Sequence, residues 1–289
     1  MSKKHLYVGL LLLGTAFWGI SFTVVKVGVD QYSPFVFLTY KFLLACLAIS
    51  LLFFRQLSLI TRKTLGIGLQ IGLPLLIASV LQTLSLRYTS VTNASFITGL
   101  EVLLVPLLKL LLYRKTVQKQ FWLACGLALG GLYLITSQQG MHLSFGDSMA
   151  AAGAVGFAVY VLQVGRYSTE SNPMPSVIVM LGVCTVGSAL LALIDPTAVW
   201  VPKETDFWWG IAFAGLPATA YMYAVQNAAQ RYIEEEKVAL TYLCEPLFAT
   251  TVGIVVLHEK YNEYILLGGL LIIAGMIVLE LKIQTHTAN

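Results

Sequence analysis

The chain of 289 residues is too apolar and too poor in charge to be a water-soluble globular protein. Hydrophobic residues make up 57% of it, charged residues only 11%, and the mean hydropathy is +0.79. Soluble domains carry about a quarter charged residues, and a chain with so few cannot cover a water-facing surface. The formal net charge of +4 is too small to indicate nucleic acid as a partner. The composition therefore predicts that the surroundings of this chain are a lipid bilayer.

Ten apolar segments are candidates for membrane-spanning helices, because about 20 residues at a rise of 1.5 Å cross the hydrocarbon core. They cover residues 7–26, 34–54, 66–86, 92–113, 120–137, 147–166, 175–194, 207–229, 237–257 and 263–281. The first segment is too long for a signal peptide and lacks a small-residue cleavage site. The predicted fold class is an all-α membrane protein with ten transmembrane helices.

The lysines and arginines are distributed unequally between the two sides of the membrane. If the N-terminus lies inside, the inner side carries twelve: Lys3, Lys4, Arg55, Arg62, Lys63, Arg114, Lys115, Lys119, Arg166, Arg231, Lys237 and Lys282. The outer side then carries four: Lys26, Arg87, Lys203 and Lys260. Because the basic side faces the cytoplasm, both termini are predicted to be cytoplasmic, in a multi-pass protein of the cell inner membrane.

The two halves of the sequence resemble each other at an offset of 144 residues. The aligned features are LQTLSLRY at 81–88 with VQNAAQRY at 225–232, Glu101 with Glu245, and Gly131 with Gly275. Self-similarity at one fixed offset indicates a duplication. Five predicted spans per half place the second half upside down, so we predict inverted repeats over 1–140 and 141–289. Transporters of this design bind substrate near the midplane, between the repeats.

Four prolines lie within predicted spans and are expected to interrupt those helices. They are Pro74 and Pro217 in the third and eighth spans, and Pro106 and Pro246 in the fourth and ninth. The last two deprive the carbonyls of Val102 and Tyr242 of their helical donors. A helix break at membrane depth is typical of a helix that lines a cavity. The alternative, which we weigh equally, is a kink that only improves helix packing.

Several short motifs occur in a characteristic order and spacing. They are FWGISF at 17–22, KVG at 26–28, Pro34, KF at 41–42, CEPLFA at 244–249, HEK at 258–260 and GGLLIIAG at 268–275. With the duplication, they make the chain resemble the EamA-type branch of the drug/metabolite transporter superfamily over almost its whole length. The resemblance implies two EamA-type repeats and a central cavity lined by helices 1, 3, 4, 6, 8 and 9, with helices 5 and 10 peripheral. It also implies export of amino acids or other metabolites, often with proton or exchange coupling.

Three positions depart from the pattern of that family. Arg114-Lys115 stands after the fourth helix, where glutamate is common, and Lys41 stands where arginine often precedes phenylalanine. Glu101 occupies a position that is neutral in many relatives, so this departure bears on the substrate.

Glu101 and Glu245 are the strongest candidates for a working role. A carboxylate at the bilayer centre costs about 3 kcal/mol on insertion scales, so it must face a cavity, a partner or a proton. The functional interpretation is that these acids bind a cationic group or carry a coupling proton. The alternative is a buried ion pair or an interhelical hydrogen bond. Lys41 is a candidate partner for either acid, whereas Lys109 lies two turns from Glu101 and is poorly placed.

Other candidates for substrate contact lie in the helices that the resemblance assigns to the cavity. The polar ones are Gln82, Gln226 and Asn227, which would orient substrate or merely join helices by hydrogen bonds. The aromatic ones are Trp18, Phe22, Tyr160, Tyr223 and Tyr242, which would form a cage for an ammonium group or merely pack. We favour packing for any single aromatic residue except Trp18.

The remaining features favour structural roles. Small residues at helical spacing, Ala150, Ala154 and Ala158 and also Gly126 and Gly130, predict close helix packing, the glycines with a homodimer as an option. The run Glu234-Glu235-Glu236 is predicted to be a solvated turn and helix cap. The cysteines Cys46, Cys125, Cys184 and Cys244 are predicted to be buried free thiols. Neither a metal nor a cofactor is expected, and the histidines lie in loops or at termini.

Together these patterns favour a secondary transporter of a small zwitterionic or cationic metabolite, such as an amino acid or an amine. The alternative is a multidrug exporter of lipophilic cations at the same acids. An intramembrane enzyme is disfavoured, since the sequence has no nucleotide-binding loop and no nucleophilic triad at depth. A passive channel remains a further alternative. The predicted partners are the substrate and the bilayer, and the chain is expected to be a monomer or a homodimer.

Overall fold

The computed structural model describes residues 3–114, 119–137, 144–168, 172–258 and 263–281, and the regular secondary structure of this part of the chain is entirely helical. In chain order the helices are α1 Lys3–Gln31, α2 Pro34–Leu52, a 3₁₀ helix Phe54–Leu59, α3 Arg62–Ser85, α4 Val91–Thr98, α5 Glu101–Tyr113, α6 Lys119–Ser137, α7 Phe145–Tyr167, α8 Met174–Ile194, α9 Thr205–Gly215, a π-helical segment Leu216–Tyr221, α10 Met222–Ala229, α11 Glu235–Tyr242, α12 Glu245–Leu257 and α13 Glu263–Leu281.

Seven helical stretches in the described residues are long and apolar enough to cross a membrane. They are Lys3–Gln31, Pro34–Leu52, Arg62–Ser85, Val91–Tyr113, Phe145–Tyr167, Met174–Ile194 and Glu235–Leu257. The other three predicted spans coincide with α6, with α13, and with α9, the π-helical segment and α10 taken together. The chain is therefore an all-helical, multi-pass membrane protein.

Polar side chains mark where several helices begin. The Ser33 hydroxyl accepts a hydrogen bond from the Val36 amide at the start of α2, and Ser90 caps α4 in the same way. A reciprocal capping box between Ser144 and Asp147 starts α7. Such caps satisfy amides that have no partner within the helix.

The end of α8 is tied to the start of α2. Ser33 donates to Asp195 at 2.5 Å, and the amide and hydroxyl of Thr197 donate to the same carboxylate at 2.9 and 2.7 Å. Burial alone raises the pKa of Asp195, but these hydrogen bonds and the nearby Arg87 outweigh it and lower the pKa below its ordinary value.

The duplication is visible in the helix boundaries. The helices α4, α5 and α6 begin and end 144 residues before α11, α12 and α13. The residues that end α5 and α12, Arg114 and His258, are also 144 apart, and both adopt the left-handed conformation, with φ of 52° and 55°. Equal boundaries and equal caps at one offset agree with a duplicated repeat.

Helix packing follows the same symmetry. The helix α6 packs against α13; α1 packs against α12 as α7 packs against α5; and α3 packs against α8 as α2 packs against α9. Exchanging the two halves therefore maps one set of contacts onto the other. The core between them is formed by helices from both repeats.

The predicted effect of two prolines is wrong. Pro74 and Pro106 lie inside continuous helices, since one missing amide removes one hydrogen bond and the neighbouring bonds keep the helix intact. The fourth span is broken instead at Gly99–Leu100, and the ninth at Leu243–Cys244, which ends two residues before Pro246. Pro217 does lie at an irregularity, the π-helical segment.

Small residues behave differently in α7 and α6. Ala150, Ala154 and Ala158 are fully buried, which agrees with their predicted packing role. Gly126 and Gly130 face open space, since a β-carbon added at either would meet nothing within 4 Å. They do not serve packing within the described chain, and a dimer through this face stays a prediction.

The thiols are only partly as predicted. Cys125 and Cys184 are buried, whereas Cys46 and Cys244 are half-buried, and none of the four is in a disulfide. Among the histidines, His5 lies in the first turn of α1 and His258 ends α12, while His142 and His286 lie outside the described residues.

Candidate functional site

A cavity lies between the two repeats, at the level where the fourth and ninth spans are broken. It is lined by Trp18, Ser21, Phe22, Val25, Lys41, Ser79, Gln82, Thr83, Leu86, Thr98, Glu101, Phe157, Ala214, Ala218, Thr219, Tyr223 and Glu245. These residues come from all six helices that the family resemblance assigns to the cavity. The second span contributes as well, through Lys41.

Glu101 and Glu245 occupy equivalent places in the two repeats. Each is the first residue of the helix that follows a break, Glu101 in α5 and Glu245 in α12. The turn before each is tightened into i→i+3 hydrogen bonds, from Leu100 to Ile97 and from Leu243 to Leu240. A carboxylate at a helix N-terminus is favoured by the helix dipole.

Both carboxylates are available to a ligand. The residues are only 6% and 7% exposed, yet both line the cavity. Within the described part of the chain, neither forms a hydrogen bond or an ion pair. The predicted alternative of an interhelical hydrogen bond or ion pair is thus not what this structure contains.

Lys41 supplies a positive charge to the same cavity. It lines the cavity from α2, and its ammonium lies 4.8 Å from the centre of the Phe42 ring. It forms no ion pair with Glu101 or Glu245, as no described acid lies within 4 Å of it. The site therefore presents two acids and one base that are not paired with one another.

Aromatic rings border the cavity on the side of α1 and α10. Trp18 contacts Tyr223 and Tyr242 edge-on, with ring centres 5.7 and 5.0 Å apart. The indole N–H of Trp18 donates to the carbonyl of Ala218 in the π-helical segment. Of the predicted aromatic residues, Trp18, Phe22 and Tyr223 line the cavity.

Four predicted site residues lie outside the cavity lining. The Tyr160 hydroxyl donates to the Gln226 side chain at 3.3 Å and accepts from Asn227 at 3.3 Å. This buried network joins α7 to α10, which agrees with the interhelical alternative for both amides. Tyr242 lies behind the two glutamates, where it borders a small void with them and Pro246. Gln82, in contrast, does line the cavity.

Several residues that line the cavity were not predicted from the sequence. Ser79, Thr83 and Leu86 flank Gln82 at helical spacing on one face of α3, which was a usable signal. Thr98 immediately precedes the first helix break. Phe157 gave no signal, because one phenylalanine in an apolar helix looks like any other.

Lys109 forms ion pairs that were not predicted from the sequence. Its ammonium lies 3.0 Å from a Glu235 oxygen and 2.7 Å from a Glu236 oxygen. The prediction that Glu234–Glu236 form a solvated turn is therefore wrong for two of the three, since Glu236 is buried and Glu235 half-buried. Glu234 is exposed and occupies the N-cap position of α11, but its side chain makes no capping hydrogen bond. The ion pairs with Lys109 hold the Glu235 and Glu236 carboxylates away from solvent.

The chain is similar to known transporters over nearly its whole length. The profile of the EamA-like transporter family matches twice, over residues 5–137 and 144–281. An uncharacterized transporter of Archaeoglobus fulgidus is 30% identical over 285 residues, covering 97% of this chain and 88% of that protein. The uncharacterized transporter YyaM of Bacillus subtilis is 23% identical, covering 95% and 93%.

The fold is also found among solved structures. A crystal structure matches with a TM-score of 0.73 over 95% of this chain and 96% of the other, at 17% identity. With the double match of the family profile, two EamA domains account for both halves of the chain. This protein belongs to the EamA-like transporter family of the drug/metabolite transporter superfamily, and it is a membrane transporter and not an enzyme.

Proposed function

We propose that this transporter moves a small zwitterionic or cationic metabolite, such as an amino acid or an amine, by secondary-active alternating access. The observation that carries the proposal is the pair Glu101 and Glu245, which face one cavity from two equivalent helix breaks. The acids bind the ammonium group of the substrate or a coupling proton. Export is the direction that the family resemblance favours.

The proposal includes ten spans in inverted halves with both termini in the cytoplasm. In its support, Tyr7 near the start of α1 stacks on Tyr232 beyond α10. Asp147 near the start of α7 accepts a hydrogen bond from Thr89 beyond α3. The C-terminal end of α1 also meets the end of α3, since Arg87 donates to the Val29 carbonyl. These contacts support the proposal that the halves begin at opposite ends of the bundle, which inverted repeats require.

The charges in the cavity favour an ionic substrate. Unpaired charges in a low-dielectric site are costly, and a ligand of opposite charge relieves that cost. A substrate with both an ammonium and a carboxylate group satisfies Glu101 or Glu245 and also Lys41. The aromatic faces of Trp18 and Tyr223 add attraction for the ammonium group.

Flux measurements in proteoliposomes test the central acids. Purified protein would be screened with labelled amino acids and amines, with and without a pH gradient. Glu101→Gln and Glu245→Gln keep the shape of each side chain and remove its charge. We expect each to reduce flux by about tenfold or more, the effect of losing a charge-assisted contact of ~1.4 kcal/mol. Normal flux in both variants would refute the central-carboxylate mechanism.

Lys41→Met separates the two substrate classes within the proposal. The comparison uses one amino acid and the amine that lacks only its carboxylate. If Lys41 binds the carboxylate, the variant loses flux of the amino acid and retains flux of the amine. Equal loss of both would instead assign Lys41 to structure or coupling.

The alternative function is export of lipophilic cations from the same cavity. It needs the two acids and the aromatic rings, but it gives Lys41 no role, since a base repels a cation. Resistance profiling of a deletion strain distinguishes the two. Broad sensitivity to cationic dyes and drugs favours the alternative, and sensitivity to one metabolite favours the main proposal.

A further inference from the structure

A buried cluster of charges lies away from the central cavity, where α5, α7 and α11 meet. It consists of Lys109, Glu235 and Glu236, here called the Lys109 cluster. The ammonium is 3.0 Å from Glu235 and 2.7 Å from Glu236. The three side chains are 14%, 19% and 8% exposed, so these are largely buried ion pairs.

The cluster lies between the cavity and one end of the bundle. The cavity residues of α1 and α3, Trp18–Val25 and Ser79–Leu86, lie in the C-terminal halves of those helices. Lys109 is eight residues beyond Glu101 along α5, about 12 Å toward the other end. That is the end where α1 begins, which the charge distribution makes cytoplasmic.

The cluster holds together helices from both repeats. Lys109 belongs to α5 of the first repeat, and the two acids begin α11 of the second. The side chain of Glu235 also fills the space beside Gly165 of α7, where a β-carbon would collide with it. Separation of α5 from α11 at this end therefore requires both ion pairs to break.

We propose that the Lys109 cluster is a gate that closes the cytoplasmic end of the transport path. The inference rests on the proposed alternating access. Charged groups suit a gate because the closed state pairs them and the open state exposes them to entering water. The charges are therefore stabilised in both states, by each other in the closed state and by water in the open state. Breaking the ion pairs inside a dry interior would leave the charges without either partner.

The opposite end is fastened by different chemistry. At the offset of 144, Lys109 corresponds to Gly253, and Glu235 and Glu236 correspond to Val91 and Thr92. These three cannot form an ion pair. There Lys26 donates to the Leu86 carbonyl at 2.7 Å, from α1 to the end of α3. Among the described residues, the place equivalent to the Lys109 cluster in the other half therefore lacks a charge-paired cluster.

The gate is tested by labelling a reporter in the cavity, which needs no knowledge of the substrate. Ser21→Cys places a thiol in the lining of a variant whose four native cysteines are replaced by alanine. A membrane-impermeant, quaternary-ammonium methanethiosulfonate is applied to right-side-out and to inverted membrane vesicles. Labelling rates from each side are compared with and without gate substitutions, for variants that elute as a single species.

We expect Lys109→Met and Glu236→Gln to raise labelling from the cytoplasmic side by about fivefold or more, the low end of typical conformational coupling. Labelling from the other side should not rise. The full charge reversal, Lys109→Glu with Glu235→Lys and Glu236→Lys, keeps both ion pairs with opposite sign and should restore slow labelling. The matched control is Lys237→Met, which breaks the ion pair with Glu234 at 3.5 Å at the start of α11 and should change nothing.

Unchanged labelling in both single variants would overturn the gate. So would a charge reversal that labels as fast as the single variants, because packing would then be the cause. If the single variants fail to fold, the charge reversal decides alone, by labelling slowly or fast. Normal gate behaviour without any measurable flux would refute the proposed substrate class and leave the gate standing.

Discussion

At the residue scale, two sets of buried polar groups in this bundle differ in whether they bind one another. The hydroxyl of Tyr160 and the amides of Gln226 and Asn227 form a network between α7 and α10. Glu101 and Glu245 have no such partners among the described residues and face the cavity. Polar groups buried without partners are costly, and the proposed function gives these two acids a ligand that would offset the cost.

Tyr160→Phe tests whether the first group is structural. The substitution keeps the ring and leaves the Gln226 oxygen without the donor that it has now. Interhelical hydrogen bonds in membranes contribute about 0.6 kcal/mol on average and up to about 1.7 kcal/mol. We expect a loss of about 1 kcal/mol, measured as a lower melting temperature in detergent, with transport per folded molecule unchanged.

Tyr88→Phe is the control for that substitution, because Tyr88 is exposed and its ring only packs edge-on against Phe145. The melting temperature of Tyr88→Phe should equal that of the unsubstituted protein. Loss of transport in Tyr160→Phe with an unchanged melting temperature would instead favour a substrate contact for Tyr160, the functional alternative that its sequence position offered.

At the element scale, the position of Glu245 depends on how closely α1 approaches α12. A β-carbon on Gly19 would lie 2.7 Å from the Glu245 carbonyl oxygen and 2.9 Å from the Ala249 amide nitrogen. Both are backbone atoms, so relief requires the whole start of α12 to move. The glycine in the FWGISF motif thus allows a helix contact that sets the place of the acid.

Gly19→Ala should therefore destabilise the protein by about 1–3 kcal/mol, the usual cost of overpacking, and should also reduce flux. Gly182→Ala in α8 is the matched control, since its β-carbon meets nothing within 4 Å. Alanine favours a helix by about 1 kcal/mol over glycine at either site. The difference in melting temperature between the two variants thus isolates the packing cost, and no difference would contradict the close contact.

The sequence predicted helices better than their irregularities. Apolar runs reveal spans because the bilayer requires them, and the equal offset of Glu101 and Glu245 pointed to two equivalent sites. The break at Gly99–Leu100 was not predictable from Pro106, since its neighbours' hydrogen bonds keep that helix continuous. The ion pair of Lys109 with Glu236 was not predictable either, because 127 residues separate them in sequence and only helix packing brings them together.

At the scale of the whole molecule, the proposed mechanism depends on the arrangement of the repeats. In that mechanism two halves that begin at opposite ends exchange conformations, and the exchange moves access from one side to the other. Features outside that symmetry would then set the direction of transport. The Lys109 cluster is one, and the excess of lysine and arginine at the same end is another.

The inverted arrangement predicts that equivalent residues of the repeats lie on opposite sides of the membrane. Arg114 and His258 suit the test, because both are exposed, both end a helix with positive φ, and they are 144 residues apart. Cysteines at these positions, in a variant without native cysteines, would be treated with an impermeant maleimide in intact cells. We expect immediate labelling at His258→Cys, and labelling at Arg114→Cys only after the membrane is permeabilised.

Two exposed positions calibrate the measurement, Ser58 in the 3₁₀ helix after α2 and Lys203 before α9. Ser58→Cys should label like Arg114→Cys, and Lys203→Cys like His258→Cys, because the positive-inside rule assigns these pairs to the inner and outer sides. If Arg114→Cys and His258→Cys label from the same side, the repeats are parallel. Exchange of conformations between them could then not switch access across the membrane, and the two glutamates would need another mechanism.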